Sequence, residues 1–276
     1  MDTLEQKLAK LEHLLSDLDG LVVAFSGGVD STLLLAVAAR VLGDRVVAGT
    51  IRSPLNPAGE LELAERTARQ LGVKHVVVDA NPLEDDRVAS NPPDRCYWCK
   101  LGVFGHLRKL AEAEGIAHIA HGEHVGDRGD YRPGHRAAAE LGILAPLAEA
   151  ELDKGDLREL SRRLGLEGWQ RPSMACLASR IPYGERLTDG NLQQVSRAEE
   201  SLRALGLTQV RVRHHGDVAR VEMLPEDLSR LADSGWRQEV VDRVKQAGYL
   251  YVTADLGGFR SGSMNEPLLG KGRPQP

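Results

Sequence analysis

The chain predicts a doubly wound parallel α/β sheet followed by a smaller α+β domain, and three observations carry that prediction. Short apolar runs alternate with helical stretches through the first half, and glycines stand where those helices would end. Beyond an irregular segment at 171–187 the order changes to helix, hairpin, helix and strand. The first stretch, 4–18, has amphipathic spacing and reads as a helix. Residues 21–25 are uninterrupted apolar and predict a strand buried on both faces; 45–51, 75–79 and 118–122 are further strand-like runs. Between them, helices are predicted over 31–42, 60–71 and 100–114, with Gly43, Gly72 and Gly115 at their C-terminal caps. In such a sheet, ligands bind beyond the carboxyl ends of the strands. The loop after the first strand, residues 50–52 and residues 122–130 should therefore meet at one edge.

The second half predicts a helix over 189–205, a hairpin over 209–223 turning near His215-Gly216-Asp217, a helix over 225–246 and a strand over 249–255. The expected domains are 1–180 and 181–276, with a tail that frays from Gly270. There is no internal repeat.

The turn after the first strand is the most informative segment. Ser26-Gly27-Gly28-Val29-Asp30-Ser31 joins a buried strand to a helix through two glycines that allow backbone amides to converge, while Ser26, Asp30 and Ser31 supply oxygens at the helix start. An anion is favoured there. No Gly-Lys-Ser/Thr triplet follows, so the turn is not a Walker loop, and it lacks the spaced glycines of a dinucleotide-binding turn. It resembles the pyrophosphatase (PP) loop, SGGxDS, whose enzymes cleave ATP between the α and β phosphates. Ala24, Ser26, Gly27, Gly28, Asp30, Ser31, Arg52, Gly122 and Asp127 are the candidate ATP contacts. Asp30 is the leading carboxylate for Mg2+, with Asp127 behind it.

Whole-chain properties narrow the classes. A net charge of -5 gives no global attraction to polyanions, so a small-molecule substrate is favoured over nucleic acid. The start, Met1-Asp2-Thr3-Leu4-Glu5, is not a basic and then apolar leader, and no stretch approaches a membrane span, so a cytoplasmic protein is expected. Three cysteines cannot all pair within one chain. Cys96-Tyr97-Trp98-Cys99 with distant Cys176 leaves four readings open: a redox pair, zinc completed by a histidine such as His106 or His121, three ligands of an iron-sulfur cube, or thiols without a role.

Taken together, the PP loop, Gly129-Asp130-Tyr131-Arg132-Pro133-Gly134, the segment from Pro172 to Gly184 around Cys176, and Arg211-Val212-Arg213 with Ala219-Arg220-Val221-Glu222 resemble the LarE family of ATP-dependent sulfur transferases over nearly the whole length. The resemblance implies adenylylation of a ring carboxylate of pyridinium-3,5-biscarboxylic acid mononucleotide, then replacement of AMP by sulfur, in making the nickel-pincer nucleotide cofactor of lactate racemase. Some members consume the cysteine matching Cys176 and leave dehydroalanine. Members with two further cysteines, similar to Cys96 and Cys99, hold a [4Fe-4S] cluster on the three thiols, and the present chain follows that pattern.

The residues themselves, together with the resemblance, suggest roles for individual positions. Cys176, Arg180 and Glu199 are the candidate catalytic residues, Glu199 either orienting an arginine or acting as a base. Arg211 and Arg213 alternate onto one strand face and suit a phosphate or carboxylates; Arg260 lies in a glycine-rich turn, and Trp98 offers an indole face to a pyridinium ring. A homo-oligomer is implied, a hexamer on analogy, with other nickel-pincer biosynthesis proteins as partners. The competing functions are a transfer-RNA thiolase, a synthetase of the GMP or NAD type, and a sensor that holds ATP without chemistry.

Overall fold

The computed structural model describes residues 3–127, 133–171, 175–260, 262–266 and 268. Gly129 to Arg132, Pro172 to Met174 and the tail from Gly270 lie outside the described residues. The chain divides into two units, Met1–Val88 with Asp94–Met174, and Ala89–Pro93 with Ala175–Pro276. Cys176 and Arg180 thus belong to the second unit, whereas the sequence reading assigns them to the first.

The first unit runs α1 (Leu4–Ser16), β1 (Leu21–Ala24), α2 (Val29–Leu42), β2 (Val46–Arg52), α3 (Glu60–Gln70), β3 (Lys74–Asp79), α4 (Asp86–Ala89), α5 (Arg95–Ala113), β4 (His118–Ala120), α6 (Pro133–Glu140), α7 (Pro146–Glu149) and α8 (Lys154–Arg163). The sheet order is β3-β2-β1-β4. All pairings are parallel, with Leu21 opposite both Val46 and His118. Because side chains alternate along a strand, Leu21 and Val23 face α1, α2 and α8, where they meet Leu11, Leu15, Leu34 and Leu157. Val22 faces the other way, onto Phe104, Leu107 and Leu110 of α5. Both faces are covered, as the uninterrupted apolar runs require.

The sequence reading did not anticipate α4, α6, α7 and α8, and the largest boundary shift in this unit is at the start of α5. The helix expected from 100 begins at Arg95, with Asp94 at its N-cap after Pro92-Pro93, and its buried Arg95 and Tyr97 anchor the early turns. Cys96 and Cys99 therefore lie inside a helix, three residues apart, and project from neighbouring positions on its surface.

The second unit holds α9 (Asp189–Ala204), β5 (Val210–His215), β6 (Val218–Met223), α10 (Pro225–Arg230), α11 (Ser234–Gln246) and β7 (Tyr251–Ala254). β5 and β6 form the expected antiparallel hairpin, and β7 adds to β6 in parallel. Val210, Val212, Ala219 and Val221 pack against Ala198 and Leu202 of α9 and Val240 and Val244 of α11. The single helix expected over 225–246 is two. The Asp233 side chain accepts from the Trp236 amide at 2.7 Å and caps a new helix, a local bond that competes with continuing the old one. No described helix is long and apolar enough to cross a membrane.

Two outcomes test this packing. A methyl group at Gly49 would stand 2.7 Å from Leu107 Cδ2 and 3.0 Å from Leu110 Cδ2, so Gly49→Ala should destabilise the protein by about 1–3 kcal/mol in urea unfolding. His214 is buried between the Tyr249 hydroxyl at 3.1 Å and Glu185 at 3.2 Å, and burial depresses its pKa. The neutral ring is favoured in the folded state, so its contribution is complete above an unfolded value of about 6.5 and is lost as pH falls below it. Stability should decline on acidification through that range, and His214→Gln should flatten the slope.

Candidate functional site

In the first unit the PP loop connects β1 to α2. Gly27 has φ +73°, a conformation that a side chain would strain. Gly28 is the N-cap of α2 and offers no side chain to cap it, which leaves the first-turn amides for a ligand. Ser31 Oγ donates to the Gly28 carbonyl at 3.1 Å and accepts from the Ser26 amide at 3.3 Å, so the loop is braced across its own mouth. Ala24 ends β1, and the Phe25 amide continues the pairing by donating to the Gly49 carbonyl at 2.9 Å.

Gly122 follows β4 and approaches this turn closely. A Cβ built there would be 2.9 Å from the Ser31 amide nitrogen and 3.2 Å from the Asp30 carbonyl carbon. Only glycine allows that distance to backbone. Asp127 is buried and accepts from the His124 amide at 3.2 Å. Arg52 ends β2, where it grips Asp79 across the strand pair through Nη2 at 2.6 Å; both side chains are exposed.

The sequence reading missed Lys154, whose Nζ donates to Asp30 at 2.6 Å. Its signal was a capping box, in which Asp153 and Asp156 cap each other's backbone and fix Lys154 at the first position of α8. A cation and the candidate magnesium carboxylate therefore share the mouth of the PP loop.

The thiols of the first unit lie on α5, both half-buried. Cys99, Trp98 and His106 line an open pocket of about 480 Å³ together with Asn81, Glu84 and Asp86. Trp98 donates from Nε1 to Asp94 at 3.1 Å and carries the Arg87 guanidinium 4.3 Å from its ring centroid. A cation already occupies one indole face, the position expected for a pyridinium ring. His121, the other histidine considered for zinc, stands 3.2 Å from Glu123. Among the described residues, no group of three or more His, Cys, Asp and Glu side chains is arranged to hold a metal ion.

In the second unit, Cys176 is exposed and precedes a short 3-10 helix, Leu177–Arg180. Arg180 is buried, and its Nη1 donates to the carbonyls of Ala175 at 2.6 Å and Cys176 at 3.1 Å rather than pointing into solvent. Its other edge grips Glu199 of α9 through Nε at 2.8 Å and Nη2 at 2.9 Å. Burial by itself would raise the Glu199 carboxyl; the Arg180 hydrogen bonds and the charges of Arg180, Arg211 and Arg203 outweigh it and hold the group below its ordinary value.

Arg211 and Arg213 share one face of β5, as the alternation predicts, but that face is buried too. Arg213 forks onto Glu222 at 3.0 and 2.7 Å and donates to the Ser179 carbonyl at 2.6 Å and Ser263 Oγ at 2.8 Å. Its donors serve the protein itself. Arg211 lies 5.4 Å from the Phe259 ring centroid, and burial, aided by the Arg180 charge, lowers its pKa to about 10. Arg260 bonds to the Gly258 carbonyl and Glu266, both at 3.2 Å.

Comparison with known proteins places these features in context. Residues 12–93 match the family model described as asparagine synthase. Over 270 residues the chain is 43% identical to the pyridinium-3,5-bisthiocarboxylic acid mononucleotide synthase of Lactiplantibacillus plantarum, with 97% of each chain covered. It is equally similar, at 43% over 265 residues, to an uncharacterized protein of Synechocystis sp., covering 96% of this chain and 99% of that one. A third relative, an uncharacterized protein of Methanocaldococcus jannaschii, is 27% identical over 259 residues, with 93% and 98% covered.

The close approach at Gly122 generates a test. Gly122→Ala should leave the fold intact and weaken binding of magnesium-ATP about tenfold or more, since the start of α2 must move. Lys154→Met should also weaken it, through loss of the cation that stands beside Asp30 at the PP loop. Calorimetric titration of each variant measures both effects.

Proposed function

The chain belongs to the LarE family of pyridinium-3,5-bisthiocarboxylic acid mononucleotide synthases, and from that premise we propose that it is an ATP-dependent sulfurtransferase acting on a carboxylate of a pyridinium mononucleotide in nickel-pincer cofactor biosynthesis. The observation that carries this reading is the 43% identity over 97% of both chains.

The chemistry has two stages. The PP loop cradles the β and γ phosphates on the amides of α2, with Asp30 holding magnesium and Lys154 offsetting further phosphate charge. A substrate carboxylate oxygen attacks the α-phosphorus of ATP, the bond to the bridging oxygen breaks, and pyrophosphate leaves. A carboxylate oxygen is a poor leaving group, so the acyl-adenylate is needed before sulfur can displace AMP.

The donor set Cys96, Cys99 and Cys176 suits iron and sulfide. Cys96 and Cys99 are neighbours on one helix, and three thiolates match the ligation of a [4Fe-4S] cluster. When bound, such a cluster supplies an iron without a protein ligand at which sulfide is carried. The chain's own part is to hold the three thiols, to keep the Cys176 backbone in place through Arg180, and to accept the substrate's anionic groups.

A second reading is favoured by the exposure of Cys176. Its thiolate attacks the acyl-adenylate, releasing AMP and forming a thioester. Loss of the Cys176 α-proton then breaks the Cβ–S bond, leaving a thiocarboxylate and dehydroalanine.

The test is mass spectrometry of protein and small molecules after anaerobic incubation with ATP, magnesium, sulfide and the pyridinium dicarboxylate mononucleotide. Thiocarboxylate in molar excess over protein, with Cys176 intact, is the expected result. One equivalent of product with dehydroalanine at Cys176 selects the second reading. No thiocarboxylate at all overturns the sulfurtransferase assignment.

A further inference from the structure

Glu199 has no room to accept a proton. Its Oε1 accepts from Arg180 Nε at 2.8 Å and from the Val212 amide at 3.1 Å; its Oε2 accepts from Arg180 Nη2 at 2.9 Å and Arg203 Nη2 at 2.6 Å. A carboxylate offers about four acceptor positions, and these four bonds fill them. The side chain is 1% exposed, and that of Arg180 is 0% exposed.

Placing two charges this deep carries a large desolvation cost, recovered only when the geometry is good and the remaining donors are bonded. That condition is met. Arg180 presents two donors to Glu199, and its free edge turns to the chain around Cys176: the carbonyls of Ala175 at 2.6 Å and Cys176 at 3.1 Å, and Ser179 Oγ at 2.9 Å. The peptide on either side of the Cys176 nitrogen and carbon is thus tied to a group that cannot itself rotate. Arg213 adds the Ser179 carbonyl at 2.6 Å from β5.

We propose that Arg180 and Glu199 are a positioning pair: Glu199, braced by Arg203 and the Val212 amide, locks the Arg180 guanidinium, and the guanidinium holds the Cys176 backbone so that its thiol is presented in one orientation. Neither side chain exchanges a proton or acts through its charge on the sulfur. The inference deepens the sulfurtransferase reading and rests on it for what Cys176 does, but the presentation of the thiol is measurable without any turnover.

The test uses the full chain with Arg180→Lys, which keeps the charge and loses the planar fork, and Glu199→Gln, which replaces two acceptor oxygens by one oxygen and an amide donor. Each is assayed for the pH profile of iodoacetamide alkylation at the Cys176 peptide, for pyrophosphate release, and for thiocarboxylate formation. In both variants the expected result is an alkylation rate changed about threefold or more with an unchanged midpoint pH. Thiocarboxylate kcat should fall about tenfold, with substrate KM and pyrophosphate release kept within about twofold. A midpoint displaced by about one pH unit in Glu199→Gln would assign the pair an electrostatic role and overturn the proposal, as would wild-type alkylation and transfer in both variants.

If those two variants do not fold, Arg203→Gln carries the test, because Arg203 is partly exposed and its removal leaves the central pair intact. The same signature at about two- to fivefold supports the pair; wild-type behaviour overturns it. Absence of thiocarboxylate in the unmodified protein, with the alkylation differences present, would fault the sulfurtransferase reading and leave the positioning pair standing.

Discussion

The parallel pairing of β1 with β2 on one side and β4 on the other is the constraint on which the first unit depends. Parallel strands share a direction, so their carboxyl ends and the loops that follow them open at one edge. The PP loop, Arg52 and Gly122 all occupy such positions. Burial of β1 on both faces leaves the strand no freedom to slip, because a shift of one residue would exchange the sets facing α2 and α5. A register held that firmly allows Gly122 to sit against the Ser31 amide with no side chain between them.

The second unit solves a different problem, since the Cys176 segment has little regular secondary structure to hold it. Backbone carbonyls that no ladder satisfies need other donors, and here arginines provide them. Arg180 takes those of Ala175 and Cys176, and Arg213 takes that of Ser179. Both arginines are anchored by fully buried carboxylates, Glu199 and Glu222. Asn91 does the same for the next stretch, donating to the carbonyls of Pro182 at 2.8 Å and Glu185 at 3.1 Å. The outer edge of β5 is closed by the same chemistry, because the Val212 amide donates to Glu199 rather than to another strand.

Much of this was legible in the chain. The run at 21–25, the glycine caps and the hairpin turn at Gly216 were read at nearly their true positions, because periodicity and backbone freedom are properties of a few neighbouring residues. Besides Lys154 and the short helices around it, other features escaped. The early start of α5 required knowing that Arg95 and Tyr97 become buried. The break before α11 turned on the Asp233 side chain choosing a cap over a helix interior. Arg211 and Arg213 were placed on the correct face but read as open to an anion, and burial against Glu222 and Phe259 gives them internal partners.

Sequence by itself determined the strands of the first sheet, the hairpin of the second unit and the phosphate-binding turn, each encoded within a dozen residues or fewer. Tertiary structure alone decided which charges meet. Lys154 finds Asp30 across 124 residues, Arg180 is the arginine that Glu199 holds, and Gly122 stands against the start of α2. The reason is physical: periodicity specifies which face of an element is buried, whereas the partner of a buried charge depends on the few ångströms that remain once the cores have packed.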